Sequence, residues 1–263
     1  MNRNIVLILI SLVFLYKCDR QDFSNSKSSI FPTGGFMLSF DDNYIDNWYK
    51  ISNLLDKYKC KATFFVSGFG YLDEESINLL KKLKNNGHEI AVHTLNHNSV
   101  ADYLDNFDDY INLEVDSEID SMLSNGFNPI TFSYPFGINS NETDAKLLQK
   151  FKLIRDVTES QRHFYSMFFK DFNQLDEVFI NDNSQKVLKA IGIDDNFNVS
   201  IDDIHKIFER ASSNKEIVLF YCHDPVYEVS GDFQIRVDYL EKFLKLTNQY
   251  NLHSYRFMDL INH

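Results

Sequence analysis

From position 35 onward, short apolar runs alternate with stretches of helical period, and no linker or internal repeat interrupts the alternation. Strands separated by helices return to the same end of a sheet and pair in parallel, and parallel strands are buried on both faces, so they read as unbroken apolar runs. The expected strands are 35–40, 62–66, 89–92, 130–133, 153–157, 190–193, 217–221 and 252–255. Helical period is clearest in Trp48, Ile51, Leu55 and Tyr58, and in Ile111, Val115, Ile119 and Met122, where apolar residues recur every three or four positions. Asn85-Asn86-Gly87 and Asn125-Gly126 are expected helix stops, and Ser200 is an expected cap whose hydroxyl accepts from the free amide of Asp203. No clean period marks 161–183. The length of 263 residues, less an N-terminal segment, suits one domain of α/β-barrel size or two small ones, and 44% hydrophobic residues are ample for a core.

Four clusters follow or complete these apolar runs: Ser39-Phe40-Asp41-Asp42, His93-Thr94-Leu95-Asn96-His97, Ser133-Tyr134-Pro135-Phe136-Gly137 and His223-Asp224. In a barrel of parallel strands the C-terminal strand ends meet at one mouth, so groups far apart in sequence would converge there. One Asp and two His four apart can supply three ligands to a divalent ion and leave positions open for water and substrate. A second Asp and a distant His are then free to act as general base and general acid. Singly, each cluster has a plainer reading. An Asp pair at a strand end is commonly a solvated turn, two His four apart a surface pair, His223 a structural imidazole, and Tyr-Pro-Phe-Gly an ordinary turn. Their joint occurrence in this order favours the metal site.

A formal net charge of −12 and a pI near 5.0 argue against nucleic acid as the main partner, since that requires a basic patch. The N-terminus reads as an export signal: Arg3 precedes an apolar run at 5–16 that is too short to span a bilayer, and Cys18 follows with a polar stretch behind it. Residues 1–18 are the expected signal, 19–34 a flexible linker and 35–263 a single catalytic domain. Lipidation of Cys18 would anchor the chain to a membrane at the bacterial cell envelope. The box Leu15-Tyr16-Lys17-Cys18 lacks the usual small residues, so secretion and an uncleaved signal anchor stay open. Cys60 and Cys222 are too few for a disulfide framework and are expected to be buried thiols.

In order and spacing the four clusters, with the apolar run Ile217-Val218-Leu219-Phe220-Tyr221-Cys222 ahead of His223, resemble the successive motifs of the polysaccharide deacetylase family, the NodB-homology domain of carbohydrate esterase family 4. The resemblance runs over 35–261. It implies a distorted (β/α) barrel of seven or eight parallel strands and a hydrolase that removes N-acetyl groups from an N-acetylhexosamine-containing polysaccharide. An O-acetyl esterase on xylan or a similar glycan, and a non-catalytic glycan-binding protein on the same fold, are the alternatives. It also implies the roles. Asp42, His93 and His97 hold one divalent metal, Zn most naturally, with Co or Ni as substitutes. Asp41 is the base and His223 the acid. Tyr134, Pro135, Phe136 and Gly137 line the substrate, with the Phe136 N–H donating to the oxyanion. Oligomeric state is not legible.

Two departures from the family pattern stand out. Many members have an Arg two residues before the Pro of the third motif, paired with the catalytic Asp, and here that position is Ser133. Arg155, on the next expected strand, either reaches the same carboxylate or makes a surface ion pair. The fourth motif, an Asp near a Trp that tunes the acid His, is not evident, and the chain's single Trp is Trp48.

Overall fold

The computed structural model describes residues 29–162 and 171–261. The expected signal at 1–18 and Cys18 lie outside the described residues, as does most of 19–34. The strands are β1 (Gly35–Asp42), β2 (Thr63–Val66), β3 (Glu89–Val92), β4 (Thr131–Ser133), β5 (Leu153–Val157), β6 (Phe179–Ile180), β7 (Val187–Gly192), β8 (Ile217–Cys222), β9 (Asp224–Val226), β10 (Gln234–Arg236) and β11 (His253–Tyr255). Pairing runs β1-β2-β3-β4-β5-β7-β8 and returns from β8 to β1, which closes a barrel of seven parallel strands. The eight residues of β1 make closure possible. Gly35 to Phe40 pair with Ile217 to Cys222 on one edge, while β11 pairs at Gly35 to Met37 and β2 at Ser39 to Asp42. The eighth expected strand, β11, thus extends one end of β1 and is not a stave of the closed ring.

Successive strand residues point to opposite faces, and the core divides accordingly. Phe36, Leu38 and Phe40 of β1, with Val218 and Phe220 of β8, pack with helical residues such as Trp48, Leu55, Leu80 and Phe243 outside the ring. Met37, Phe65, Ala91, Leu153, Val157 and Leu219 pack together inside it. Asp41 follows Met37 at period two, and Arg155 lies between Leu153 and Val157 on β5, so both belong to the inner face.

The expected helix over Trp48 to Tyr58 is two short helices, Ile45–Lys50 and Ser52–Lys57. The run containing Ile111, Val115, Ile119 and Met122 begins as a π-helix, Tyr110–Asp116, before the α-helix Ser117–Ser124. The helix Ile201–Asn214 starts at Ser200, whose hydroxyl accepts from Asp203 N–H at 3.1 Å while Asp203 accepts from Ser200 N–H at 3.0 Å. The stops hold as well: Gly87 and Gly126 follow their helices at φ of 89° and 84°. Of the expected linker at 19–34, residues 29–34 are described. Phe31 is buried with the inner cluster, and Ile30 N–H donates to Asn181 O at 2.9 Å. Among the described residues, no helix is long and apolar enough to cross a membrane. Cys60 and Cys222 are buried free thiols.

Candidate active site

A cavity of about 310 Å³ opens at the C-terminal ends of the barrel strands, lined by Asp41, Asp42, His93, His97, Tyr134, Phe136, Gly137, Arg155 and His223, with Phe197, Tyr221 and Phe233 on one side. A larger concavity of about 690 Å³ lies by β11 at the opposite end. Of its charged groups, Lys61 pairs with Asp56 and Arg256 with Asp259, whereas the smaller cavity gathers the expected site residues.

Nine described non-glycine residues have positive φ, and four of them, Asp42 (81°), His97 (55°), Phe136 (59°) and Phe233 (57°), line this cavity. A left-handed backbone costs an L-residue roughly 1–3 kcal/mol and persists only where the surroundings impose it, which is characteristic of functional sites.

Asp42, His93 and His97 offer ligand atoms that all lie within 4.8 Å of one another. Asp42 Oδ1 is 3.6 Å from His93 Nε2 and 3.3 Å from His97 Nε2, and it is buried without a hydrogen-bond partner. The His93 Nδ1–H donates to Ser133 O at 2.9 Å, which leaves Nε2 as a lone pair aimed at a carboxylate oxygen. Burial pushes the His93 imidazole down to about 3 and lowers that of His97, so the His93 Nε2 gains no proton near neutral pH to relieve its approach to Asp42. A cation between them would relieve it. The residues therefore fit a divalent ion, and two imidazoles with one carboxylate are the donor set of a borderline metal.

Asp41 is 2% exposed and pairs through Oδ2 with Arg155, which is 1% exposed. Arg155 is thus not a surface residue. Its guanidinium also donates to Ser133 Oγ and stacks on Tyr221, 4.6 Å from the ring centroid. Burial lowers it to about 10, which leaves it charged at neutral pH. Arg155 and Ser133 are register partners on β5 and β4, so the small Ser133 leaves room for the neighbouring strand's Arg. Asp41 Oδ1 has no partner.

His223 follows β8, and Asp194, just beyond β7, grips it twice. The His223 N–H donates to Asp194 Oδ1 at 2.9 Å, and Nδ1 meets Oδ2 at 2.6 Å. The Trp48 indole N–H donates to His223 O at 2.9 Å. A buried Asp and a Trp therefore flank this His, though the sequence did not reveal them as a motif. The signal was present. Asp194-Asp195 comes just after the apolar β7 as Asp41-Asp42 closes the apolar β1.

The turn Pro135–Gly137 is closed by bonds from Gly137 N–H to Tyr134 O and from Ile138 N–H to Pro135 O. A Cβ on Gly137 would meet Val157 at 2.4 Å. Phe136 is exposed, and its ring lies 4.7 Å from that of His97. Tyr134, expected to line the substrate, lines the cavity. It is 1% exposed and its hydroxyl donates to Asp144 at 2.8 Å, so it serves as a wall.

Residues 31–153 match the family model described as Polysaccharide deacetylase. No curated protein matches the chain in sequence. Among solved structures, the Bc1960 peptidoglycan N-acetylglucosamine deacetylase is similar at a TM-score of 0.56 and 20% identity, over 89% of this chain and 90% of that one. The Xyl-CE4 domain of a multidomain xylanase from the hindgut metagenome of Trinervitermes trinervoides matches at 0.54 and 15%, over 88% and 90%. A family 4 acetyl xylan esterase from Clostridium thermocellum, in complex with a cobalt ion, matches at 0.52 and 16%, over 86% and 90%. At these identities the likeness is one of fold, the deacetylase and esterase barrel.

Proposed function

We propose, for a chain whose residues 31–153 match the polysaccharide deacetylase family model, a metal-dependent hydrolase that removes N-acetyl groups from an N-acetylhexosamine-containing polysaccharide. The observation that carries this reading is the Asp42, His93, His97 set with its unopposed acceptor atoms. An ion held there, Zn²⁺ by preference and Co²⁺ or Ni²⁺ as substitutes, supplies Lewis acidity that lowers the pKa of a water from about 15.7 toward about 7 and polarises the acyl carbonyl. Asp41 receives the proton of the attacking water at Oδ1, while the Arg155 charge on Oδ2 keeps the carboxylate ionised. The Phe136 N–H donates to the oxyanion that develops. His223, fixed at Nδ1 by Asp194, carries its transferable proton on Nε2 and delivers it to the leaving amine, which cannot depart as an anion. Phe136, exposed at the rim, and the Tyr134, Pro135, Gly137 wall contact the sugar.

Hydrolysis of an O-acetyl ester on xylan is the second reading, supported by the similarity in fold to an acetyl xylan esterase. It uses the same metal and base and demands less of His223. The test is acetate release by the purified protein with Zn²⁺ or Co²⁺ from chitin oligomers, peptidoglycan, poly-N-acetylglucosamine and acetylxylan. Release from N-acetylated substrates supports the proposal, and release from acetylxylan alone selects the second reading. No release from a metal-loaded protein leaves a non-catalytic glycan-binding role. The proposal places the protein outside the cytoplasm, at the cell envelope through a lipidated Cys18 or secreted. Fatty-acid labelling that is lost in Cys18→Ala distinguishes the two.

A further inference from the structure

Glu114 lies in the π-helical turn outside the barrel and is fully buried, yet the hydrogen bonds to its carboxylate come from neutral groups. Oε2 accepts from Asn96 N–H at 2.8 Å. Oε1 accepts from Asn96 Nδ2 at 2.9 Å and from Asn98 Nδ2 at 2.7 Å, with the Tyr103 hydroxyl at 3.4 Å. The main-chain carbonyl of the same residue accepts from Leu95 N–H at 2.9 Å. Glu114 therefore grips residues 95, 96 and 98 around His97, through both its side chain and its backbone.

We propose that Glu114 is a positioning residue for the metal ligand His97, holding the loop after β3 in the shape that turns the imidazole toward Asp42. The inference rests on the metal-site reading above. Three observations carry it. The loop has left-handed residues at both Thr94 (φ 70°) and His97 (φ 55°), conformations that L-residues keep only under external constraint, and Glu114 bonds to the residues between and just beyond them. The donors that face its carboxylate leave no place for another donor, so an acceptor-only group is required there, and an ionised carboxylate is the side chain that meets this. Finally, a π-helix closes its hydrogen bonds one residue further along than an α-helix, and such bulges concentrate at functional sites. Here the bulge brings the Glu114 carbonyl and carboxylate to the same loop.

Glu118, four residues on, provides the comparison within the protein. It is equally buried, and burial raises its carboxyl to about 8. It accepts from Phe69 N–H at 2.8 Å and Gly70 N–H at 3.4 Å, so it holds the loop after β2, which carries no proposed ligand.

The experiment titrates Zn²⁺ against a chromophoric chelator with full-length wild type, Glu114→Gln, Glu118→Gln and Asn98→Ala, with near-ultraviolet circular dichroism and urea midpoints on the metal-free proteins. Glu114→Gln keeps the shape but sets an amide donor against donors, and the expected result is a Zn²⁺ affinity about 10-fold to 100-fold weaker, the usual loss when support behind a ligand is removed. Glu118→Gln is expected to lower the urea midpoint and leave Zn²⁺ affinity at the wild-type value. Asn98→Ala removes one donor from the same grip and gives a smaller loss of affinity; it decides the matter if Glu114→Gln does not fold. Wild-type affinity in a folded Glu114→Gln, or in Asn98→Ala when Glu114→Gln is unfolded, overturns the positioning role while the metal site stands. An equal loss in Glu118→Gln also overturns it, because the effect is then general loosening. Failure of the wild type itself to bind Zn²⁺ overturns the metal-site reading and this inference together.

Discussion

The two halves of the cavity differ in how far the protein satisfies its own groups. On the proton-handling side, Asp41 is held by Arg155 and His223 by Asp194, each in a buried charged pair or charge-assisted bond. On the ligand side, Asp42 Oδ1 faces two imidazole nitrogens at 3.3 and 3.6 Å and has no hydrogen-bond partner. Buried polar groups are normally paired; on the ligand side the unpaired Asp42 Oδ1 faces atoms that a cation would join, whereas on the other side the unpaired Asp41 Oδ1 and Arg155 Nε belong to a carboxylate and a guanidinium already joined to each other. The groups proposed to pass protons are orientated in advance by charged partners, and the groups proposed to hold an ion are left facing one another.

The largest effects break the ligand side. His93→Ala or His97→Ala should reduce bound metal from about one per chain to none and take activity to background. Both variants should keep the wild-type far-ultraviolet spectrum, because the residues sit at the barrel mouth. Full metal occupancy measured by elemental analysis in both would remove the contrast between the halves.

Next in size is the separation of base from ligand. Asp41→Asn should retain metal and lose about 10²-fold to 10⁴-fold in rate, the contribution of a positioned general base. Asp42→Asn should lose the metal as well. If the two phenotypes come out exchanged, so are the roles.

A smaller and substrate-dependent loss is expected at the acid. His223→Ala should depress N-deacetylation by about 10² or more and hydrolysis of an activated acetate ester far less, since only the amine must be protonated as it leaves. Asp194→Asn should follow the same pattern more weakly. Equal losses on both substrates would make His223 a structural group and withdraw support from the N-acetyl reading.

The subtlest effect sharpens the proton side. In Arg155→Met the loss of the guanidinium beside Asp41 disfavours the ionised carboxylate, so its pKa rises. The base is then protonated over more of the acid range, and the acidic limb of the rate profile moves to higher pH. A limb that stays in place at normal activity shows that Arg155 serves packing against Tyr221 and not the charge on Asp41.

The particular elements show what was legible along the chain. The runs at 89–92 and 153–157 appear as β3 and β5 with the bounds read from their apolar residues, because a stave buried on both faces leaves an unmistakable local pattern. The Ser200 cap and the glycine stops are equally local. By contrast, the two-residue β6 and the three-residue β9 and β10 have no period to read. The π turn at Tyr110–Asp116 has nearly the spacing of an α-helix in its apolar residues. Tyr134 sits inside a motif, yet its hydroxyl is drawn to Asp144 by a helix start that only packing brings near.

Within the site the same division holds, and its reason is physical. The spacing of Asp41-Asp42 and of His93 and His97 is local, so the sequence alone determined that these groups stand at strand ends and suit a metal. Arg155 reaches Asp41 across 114 positions of chain, and Asp194 reaches His223 across 29. Both pairings depend on the order in which the barrel closes and on which face of each strand turns inward. A side chain supplied from β5 in place of one from β4 therefore leaves no trace in motif spacing, and only the tertiary structure decided which charge pairs with Asp41 and which carboxylate holds His223.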